Sequence, residues 1–209
     1  MAEKQRIFRV LIVDDHPMMR RGFGDCLIDT GRFLIAGEAE SLEAGRVMME
    51  HLKTPPDLII LDIGLGDENG LDFIKIVKDL CAARNMTPPP VLICSVFEDP
   101  FRVQAAMQLG ARGYVSKSAG EPELLRAIDR TLTGERYIDE KFEVPLQKNE
   151  GLYDLFTRRE REILMLVKQD YDNRRIAALC GITPRTVENH LSHIYYKTGL
   201  KNREQLHGL

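Results

Sequence analysis

The chain has 209 residues, enough for a domain of ordinary size and a second, smaller one of about 60 residues. Its overall charge of −3 conceals a division: residues 1–150 carry a net −6 and residues 151–209 a net +3, so contact with nucleic acid is expected of the tail. No apolar stretch is long enough to span a bilayer, Met1–Arg6 lacks the apolar core of a signal peptide, and four cysteines without paired spacing (Cys26, Cys81, Cys94, Cys180) argue against a disulfide scaffold, so the expected location is the cytoplasm.

In chain order, the first strand-like run is Val10–Val13, which stops at Asp14 and Asp15. A second, Asp57–Leu61, stops at Asp62; Val91–Cys94 stops at Ser95; Gly113–Ser116 stops at Lys117. These runs are apolar almost throughout and are separated by helical patterns, as a parallel sheet buried on both faces requires. In such open sheets the reactive crevice lies beyond the carboxyl ends of the strands. Three carboxylates, a hydroxyl and an ammonium should therefore converge. Any one aspartate after a buried strand serves equally well as a helix cap; the ordered set points to chemistry.

Three crowded carboxylates resist joint ionisation unless a cation sits among them. Mg²⁺ suits such a place, because it binds carboxylate oxygens, keeps waters and accepts phosphate oxygens. A carboxylate can also attack phosphorus to give an acyl phosphate. Asp62, on the middle station, is the candidate nucleophile; Lys117 would pair with developing charge and Ser95 would donate to a phosphoryl oxygen.

The segments VLIVDDHP (10–17), LIILD (58–62), Gly70-Leu71, LICS (92–95) and GARGYVSK (110–117) together resemble a response-regulator receiver domain over residues 7–133. The resemblance implies a flavodoxin-like, doubly wound α/β fold with a five-stranded parallel sheet. It also implies that a histidine kinase phosphorylates Asp62, that Asp14, Asp15, Asp62 and the backbone carbonyl of Gly64 hold Mg²⁺, that Ser95 and Tyr114 form the switch pair, and that Lys117 is the family's lysine. Such a protein is a regulator and not an enzyme, apart from accepting the phosphoryl group and slowly losing it. Gly66 and Ser118 stand where the family often has proline. Gly64 and Phe97 occupy the positions that tune the lifetime of the phosphorylated state, and neither can position a hydrolytic water. An aspartyl-phosphate enzyme of the haloacid-dehalogenase type would instead need its nucleophile on the first strand in an Asp-x-Asp arrangement, and here the two aspartates are adjacent.

Residues 121–133 are expected to form a last receiver helix, with Leu124, Leu125, Ile128 and Leu132 at helical spacing. Residues 134–152, polar and with Pro145, are expected to be a linker. Residues 153–209 predict an all-α domain of four short helices. Thr157 and Glu160 form a capping box before Ile163, Leu164 and Val167. Asn173 is expected to cap the second helix, Gly181 to permit a turn, and Thr183 to cap a third helix with Pro184 at its first position. In that helix Val187, Leu191 and Ile194 share an inward stripe and Arg185, Glu188, Asn189, Ser192 and His193 point outward, so the pair makes a helix-turn-helix. His190 and His193 alone lack a third ligand for a metal.

FTRREREILMLV (156–167), NRRIAALCGITPRTVENHLSHIYYKTGL (173–200) and NREQL (202–206) resemble the DNA-binding domain of the LuxR/FixJ type. The resemblance implies that the helix from Pro184 enters the major groove, with Arg185, Glu188, Asn189, Ser192, His193 and Lys197 as its contacts, and that the segment from Asn202 helps form a homodimer. Cys180 stands where leucine is usual and Glu188 where lysine is common. The whole chain is thus expected to be a transcription regulator controlled by phosphorylation. The alternative with the same fold is a regulator that binds DNA regardless of phosphorylation.

Overall fold

The computed structural model describes residues 6–66, 68–96, 100–142, 156–198 and 200–209. Phe97, the linker from 143 and the first residues of the expected tail domain, 153–155, lie outside them. The chain divides into two compact units, the first built from residues 1–99 and 103–142 and the second chiefly from residues 143–209.

The first unit alternates strand and helix. Its strands are β1 (Phe8–Val13), β2 (Phe33–Ala39), β3 (Leu58–Leu61), β4 (Gly64–Leu65), β5 (Glu68–Asn69), β6 (Val91–Ser95), β7 (Gly113–Ser116) and β8 (Tyr137–Ile138). Its helices are α1 (Pro17–Asp29), α2 (Leu42–His51), α3 (Asp72–Ala83), α4 (Pro100–Leu109) and α5 (Glu121–Leu132). The main sheet runs β2-β1-β3-β6-β7-β8 and is parallel throughout, while β4 and β5 form a small antiparallel hairpin. The sheet therefore has six strands and not five. The sixth, β8, comes from the segment expected to be linker, and two residues are too few for any periodicity to announce them.

Alternation along the strands sorts the core into two layers. Val10, Ile12, Leu58, Ile60, Leu92, Cys94 and Val115 pack with Phe23 and Leu27 of α1 and Leu124, Ala127 and Ile128 of α5. Leu11, Ile59, Leu61, Ile93 and Tyr114, which alternate with them, are equally buried, and α2 to α4 bury Met49, Phe73, Ile74, Val77, Val103 and Ala106. Fully burying each such side chain contributes roughly 1.5–3 kcal/mol.

The second unit comprises α6 (Arg158–Val167), α7 (Asn173–Cys180), α8 (Pro184–Thr198) and α9 (Arg203–Leu206). The capping box forms as expected: Glu160 N donates to Thr157 Oγ1 at 3.2 Å and Thr157 N to Glu160 Oε2 at 2.7 Å. The cap of α7 is Asp172, whose Oδ1 accepts from Arg175 N at 2.7 Å, and not Asn173; Asn173 is the first helical residue and its side chain instead accepts from Arg203 at 2.9 Å. Gly181 turns the chain in the left-handed conformation, φ 63°. Thr183 Oγ1 then accepts from Thr186 N at 3.2 Å to start α8. Phe156, Ile163, Leu164, Val167, Ile176, Ala177, Val187, Leu191, Ile194 and Leu206 form the core of this unit. Among the described residues no helix is long and apolar enough to cross a membrane.

Candidate phosphorylation site and nucleic-acid interface

Register places the reactive stations side by side. Val13 pairs with Leu61, Leu61 with Ile93, and Ser95 with Ser116, so Asp14, Asp62, Ser95 and Lys117 emerge at one end of four adjacent strands. Backbone bonds fix the level: Asp62 N donates to Val13 O at 2.8 Å and Lys117 N to Ser95 O at 2.9 Å. Asp14, Asp62 and Ser95 are buried, with 1 %, 2 % and 0 % of their surface exposed.

Lys117 Nζ lies 2.6 Å from Asp14 Oδ2 and 2.6 Å from Asp62 Oδ2. Burial works against the charge of this ammonium, but the bonds it donates to Asp14 and Asp62 and their charges outweigh it and hold its pKa above the ordinary lysine value. The other oxygen of Asp62 accepts from Gly64 N at 3.2 Å. Asp15 accepts from Gly66 N at 2.9 Å, which ties the β4–β5 hairpin to the end of β1.

Two residues join the site that the strand pattern alone did not single out. His16 sets Nδ1 2.6 Å from Asp15 Oδ1, and its backbone N donates to Asp14 Oδ1 at 2.8 Å. Arg20, one turn into α1, donates from Nη1 to the Asp14 carbonyl at 2.5 Å. His16 was visible as the residue following the paired aspartates; Arg20 had no local signal.

The carboxylate oxygens of Asp14, Asp15 and Asp62 and a ring nitrogen of His16 lie within 4.8 Å of one another. Asp14 Oδ2 and Asp15 Oδ1 are shut off from solvent and receive no well-directed hydrogen bond; each is met only by the nearby cationic or imidazole nitrogen. The oxygens of Asp14, Asp15 and Asp62, two of them buried and short of donors, fit a hard divalent cation such as Mg²⁺, while the His16 ring nitrogen is held by Asp15. The adjacent thiol is no rival nucleophile, because burial pushes the pKa of Cys94 up to about 12.

Tyr114, the other member of the expected switch pair, is fully buried on β7 beside β6, with Phe142 set edge-on to its ring at a centroid distance of 5.4 Å.

In the second unit Arg185, Glu188, Asn189, Ser192 and His193 share the exposed side of α8, opposite the buried Val187, Leu191 and Ile194. Arg185 Nη1 pairs with Glu188 Oε2 at 3.0 Å on the helix surface, and Ser192 Oγ donates to the Glu188 carbonyl at 2.9 Å. Lys197 lies one turn beyond His193. Its Nζ lies 2.6 Å from Oε2 of the buried Glu160 on α6, with His193 Nδ1 3.9 Å from the other oxygen. Tyr196, 90 % exposed, is a further polar group that the helical stripe left unassigned.

Burial works to raise the Glu160 pKa, but the bond from Lys197, both bonds from Thr157 and the Lys197 charge outweigh it and hold it low. Glu160→Ala should destabilise this unit by roughly 1–3 kcal/mol, because it removes the partner of the part-exposed Lys197 and half the capping box. The depressed carboxylate stabilises the fold above its unfolded pKa, about 4.3, and that contribution is lost as pH falls through the lower folded value. Thermal unfolding of the wild type and Glu160→Gln across pH should therefore show a gap at neutral pH that closes in acid.

Residues 10–129 match the family of response regulator receiver domains, and residues 154–208 match the luxR family of bacterial regulatory proteins. The response regulator protein VraR of Staphylococcus aureus is 30 % identical over 201 residues, covering 94 % of this chain and 93 % of that protein. Among solved structures, RcsB of Salmonella enterica serovar Typhimurium, bound to promoter rprA in the presence of phosphomimetic BeF3-, aligns over 97 % of this chain and 98 % of its own, at 22 % identity and a TM-score of 0.70. The response regulator ChrA of a heme-sensing two-component system aligns over 97 % of this chain and 95 % of its own, at 29 % identity and a TM-score of 0.54.

Proposed function

Since the chain belongs to the response regulators with a receiver domain followed by a LuxR-type DNA-binding domain, we propose that a histidine kinase phosphorylates Asp62 and that this controls binding of the second unit to DNA as a homodimer. The observation that carries the reading is the single ammonium of Lys117 held 2.6 Å from both Asp14 and Asp62. It leaves Asp62 anchored and adjacent to a cation able to meet phosphoryl oxygens.

Asp14, Asp15, Asp62 and the Gly64 carbonyl would hold Mg²⁺. When bound, the ion supplies the countercharge that lets a phosphoryl group approach a cluster of carboxylates. The chain's own groups do the rest. Gly64 N and Lys117 orient the Asp62 carboxylate, Ser95 offers its hydroxyl to a phosphoryl oxygen, and burial keeps competing water away. A local charge event then biases the packing around Ser95 and Tyr114. In the second unit, Arg185, Asn189, Ser192 and His193 are placed on α8 to meet DNA, with Glu188 adding selectivity in place of bulk affinity. Lys197, one turn further along α8, is the last of these contacts and also pairs with Glu160 of α6.

The test is to treat the full chain with acetyl phosphate and Mg²⁺, then follow its mass in solution and its affinity for duplexes selected from a random pool. Phosphorylation should raise both the dimer fraction and the affinity. Tight binding unaffected by the phosphodonor would replace this reading with constitutive DNA binding.

A further inference from the structure

The segment that follows α5 is fastened to the strand bearing the buried tyrosine. Tyr137 N donates to Arg112 O at 3.0 Å and Asp139 N to Tyr114 O at 3.1 Å, so β8 lies along β7. Just beyond, Phe142 is 2 % exposed and meets the Tyr114 ring at an interplanar angle of 83°. A second tether sits beside the site lysine. Lys141 Nζ lies 3.1 Å from Ser118 Oγ, and that hydroxyl is also bonded to Ser116 Oγ at 2.8 Å. A proline at 118 would have no hydroxyl and could make neither bond.

One short segment thus touches both Tyr114 and the residue after Lys117. We propose that Tyr137–Phe142 is a latch, closed on Tyr114 in this conformation and released when Tyr114 withdraws toward Ser95. The inference rests on Asp62 being the phosphoacceptor. A phosphoryl group there draws the Ser95 hydroxyl toward itself, and the vacated room lies on the β6 side of Tyr114, away from Phe142. A tyrosine that moves into it leaves a gap against the Phe142 edge. Close-packed interiors do not hold such gaps, so Phe142 loses its seat. Phe142 is the last described residue before the second unit, so release frees additional backbone ahead of that unit. The latch is the physical step between phosphorylation and output.

Amide hydrogen exchange of the full chain tests this, with and without acetyl phosphate and Mg²⁺, and with labelling of Asp62 followed by intact mass. In labelled protein, residues 137–142 should exchange roughly twofold to tenfold faster, the range that one aromatic edge contact commands. Phe142→Leu, which keeps burial but not the ring, should exchange fast without label and gain little from it, while Phe142→Tyr should respond as the wild type does. Labelled wild type whose residues 137–142 exchange no faster overturns the latch and leaves the Asp62 assignment standing. So does a Phe142→Leu protein that responds as the wild type does. A chain that takes no label overturns both.

Discussion

Asp62→Asn should take up no phosphoryl group from acetyl phosphate, while the wild type takes up one. The amide nitrogen and its carbonyl are poor nucleophiles, and nothing else in the site can substitute: the Cys94 thiol is held protonated by burial, and Asp14 Oδ2 is already engaged by Lys117. The loss should be complete. Stability should change far less, because two effects oppose each other. Asp62 accepts from both Lys117 Nζ and Gly64 N, and an asparagine offers only one oxygen, so one donor is stranded at a cost of roughly 1–3 kcal/mol. Against this, one of three mutually repelling carboxylates disappears. Intact-mass measurement reads the uptake and a thermal melt reads the stability. Equal labelling of variant and wild type would remove Asp62 from its role. Chelating Mg²⁺ should suppress labelling of the wild type too, since Lys117 alone cannot neutralise Asp14, Asp15, Asp62 and an incoming phosphate.

What the sequence disclosed of this site follows from where its signals are local. The ends of β1, β3, β6 and β7 were legible because each strand's later residues are buried on both faces and the chain turns polar abruptly at or just after its last residue. Strand β2 was not, because it lies at an edge, where only Phe33 and Ala39 are buried and the rest alternates without a clean period. The β4–β5 hairpin fell within a stretch that looked like loop, and β8 has only two residues. The partners that matter most to the site's electrostatics were also out of reach. Arg20 finds the Asp14 carbonyl, Phe142 finds Tyr114 and Lys197 finds Glu160 through tertiary packing, and none of these pairs leaves a spacing that a strand or helix period could reveal. In the second unit the helix pattern resolved the faces of α8, but the ion pair between Lys197 and the buried Glu160 leaves no sign in that pattern.

Gly70→Ala should be the most damaging single-methyl change in the receiver domain. Gly70 closes the hairpin against the peptide that carries Asp62, and its backbone is held on both sides: its N donates to Ile63 O at 2.7 Å and its carbonyl accepts from Phe73 N at 3.0 Å. A Cβ there would lie 2.0 Å from Asp62 O and 2.9 Å from Ile63 Cα. Both obstacles are backbone, so no rotamer change relieves them, and either the hairpin leaves or the Asp62 peptide moves. Overpacking against a side chain costs typically 1–3 kcal/mol, and a clash with fixed backbone should exceed that, at about 3 kcal/mol or more. Labelling at Asp62 should fall with it, because the displaced peptide no longer presents the carboxylate to Lys117. Gly66→Ala is the matched control. Gly66 has φ 59° but nothing within 4 Å of its Cβ position, so alanine there carries only the left-handed backbone cost of roughly 1–2 kcal/mol and should still take up phosphoryl. Denaturant unfolding and intact-mass labelling of the two variants side by side check the contrast. Equal losses in both would mean that the close approach to Asp62 is not what requires glycine at 70.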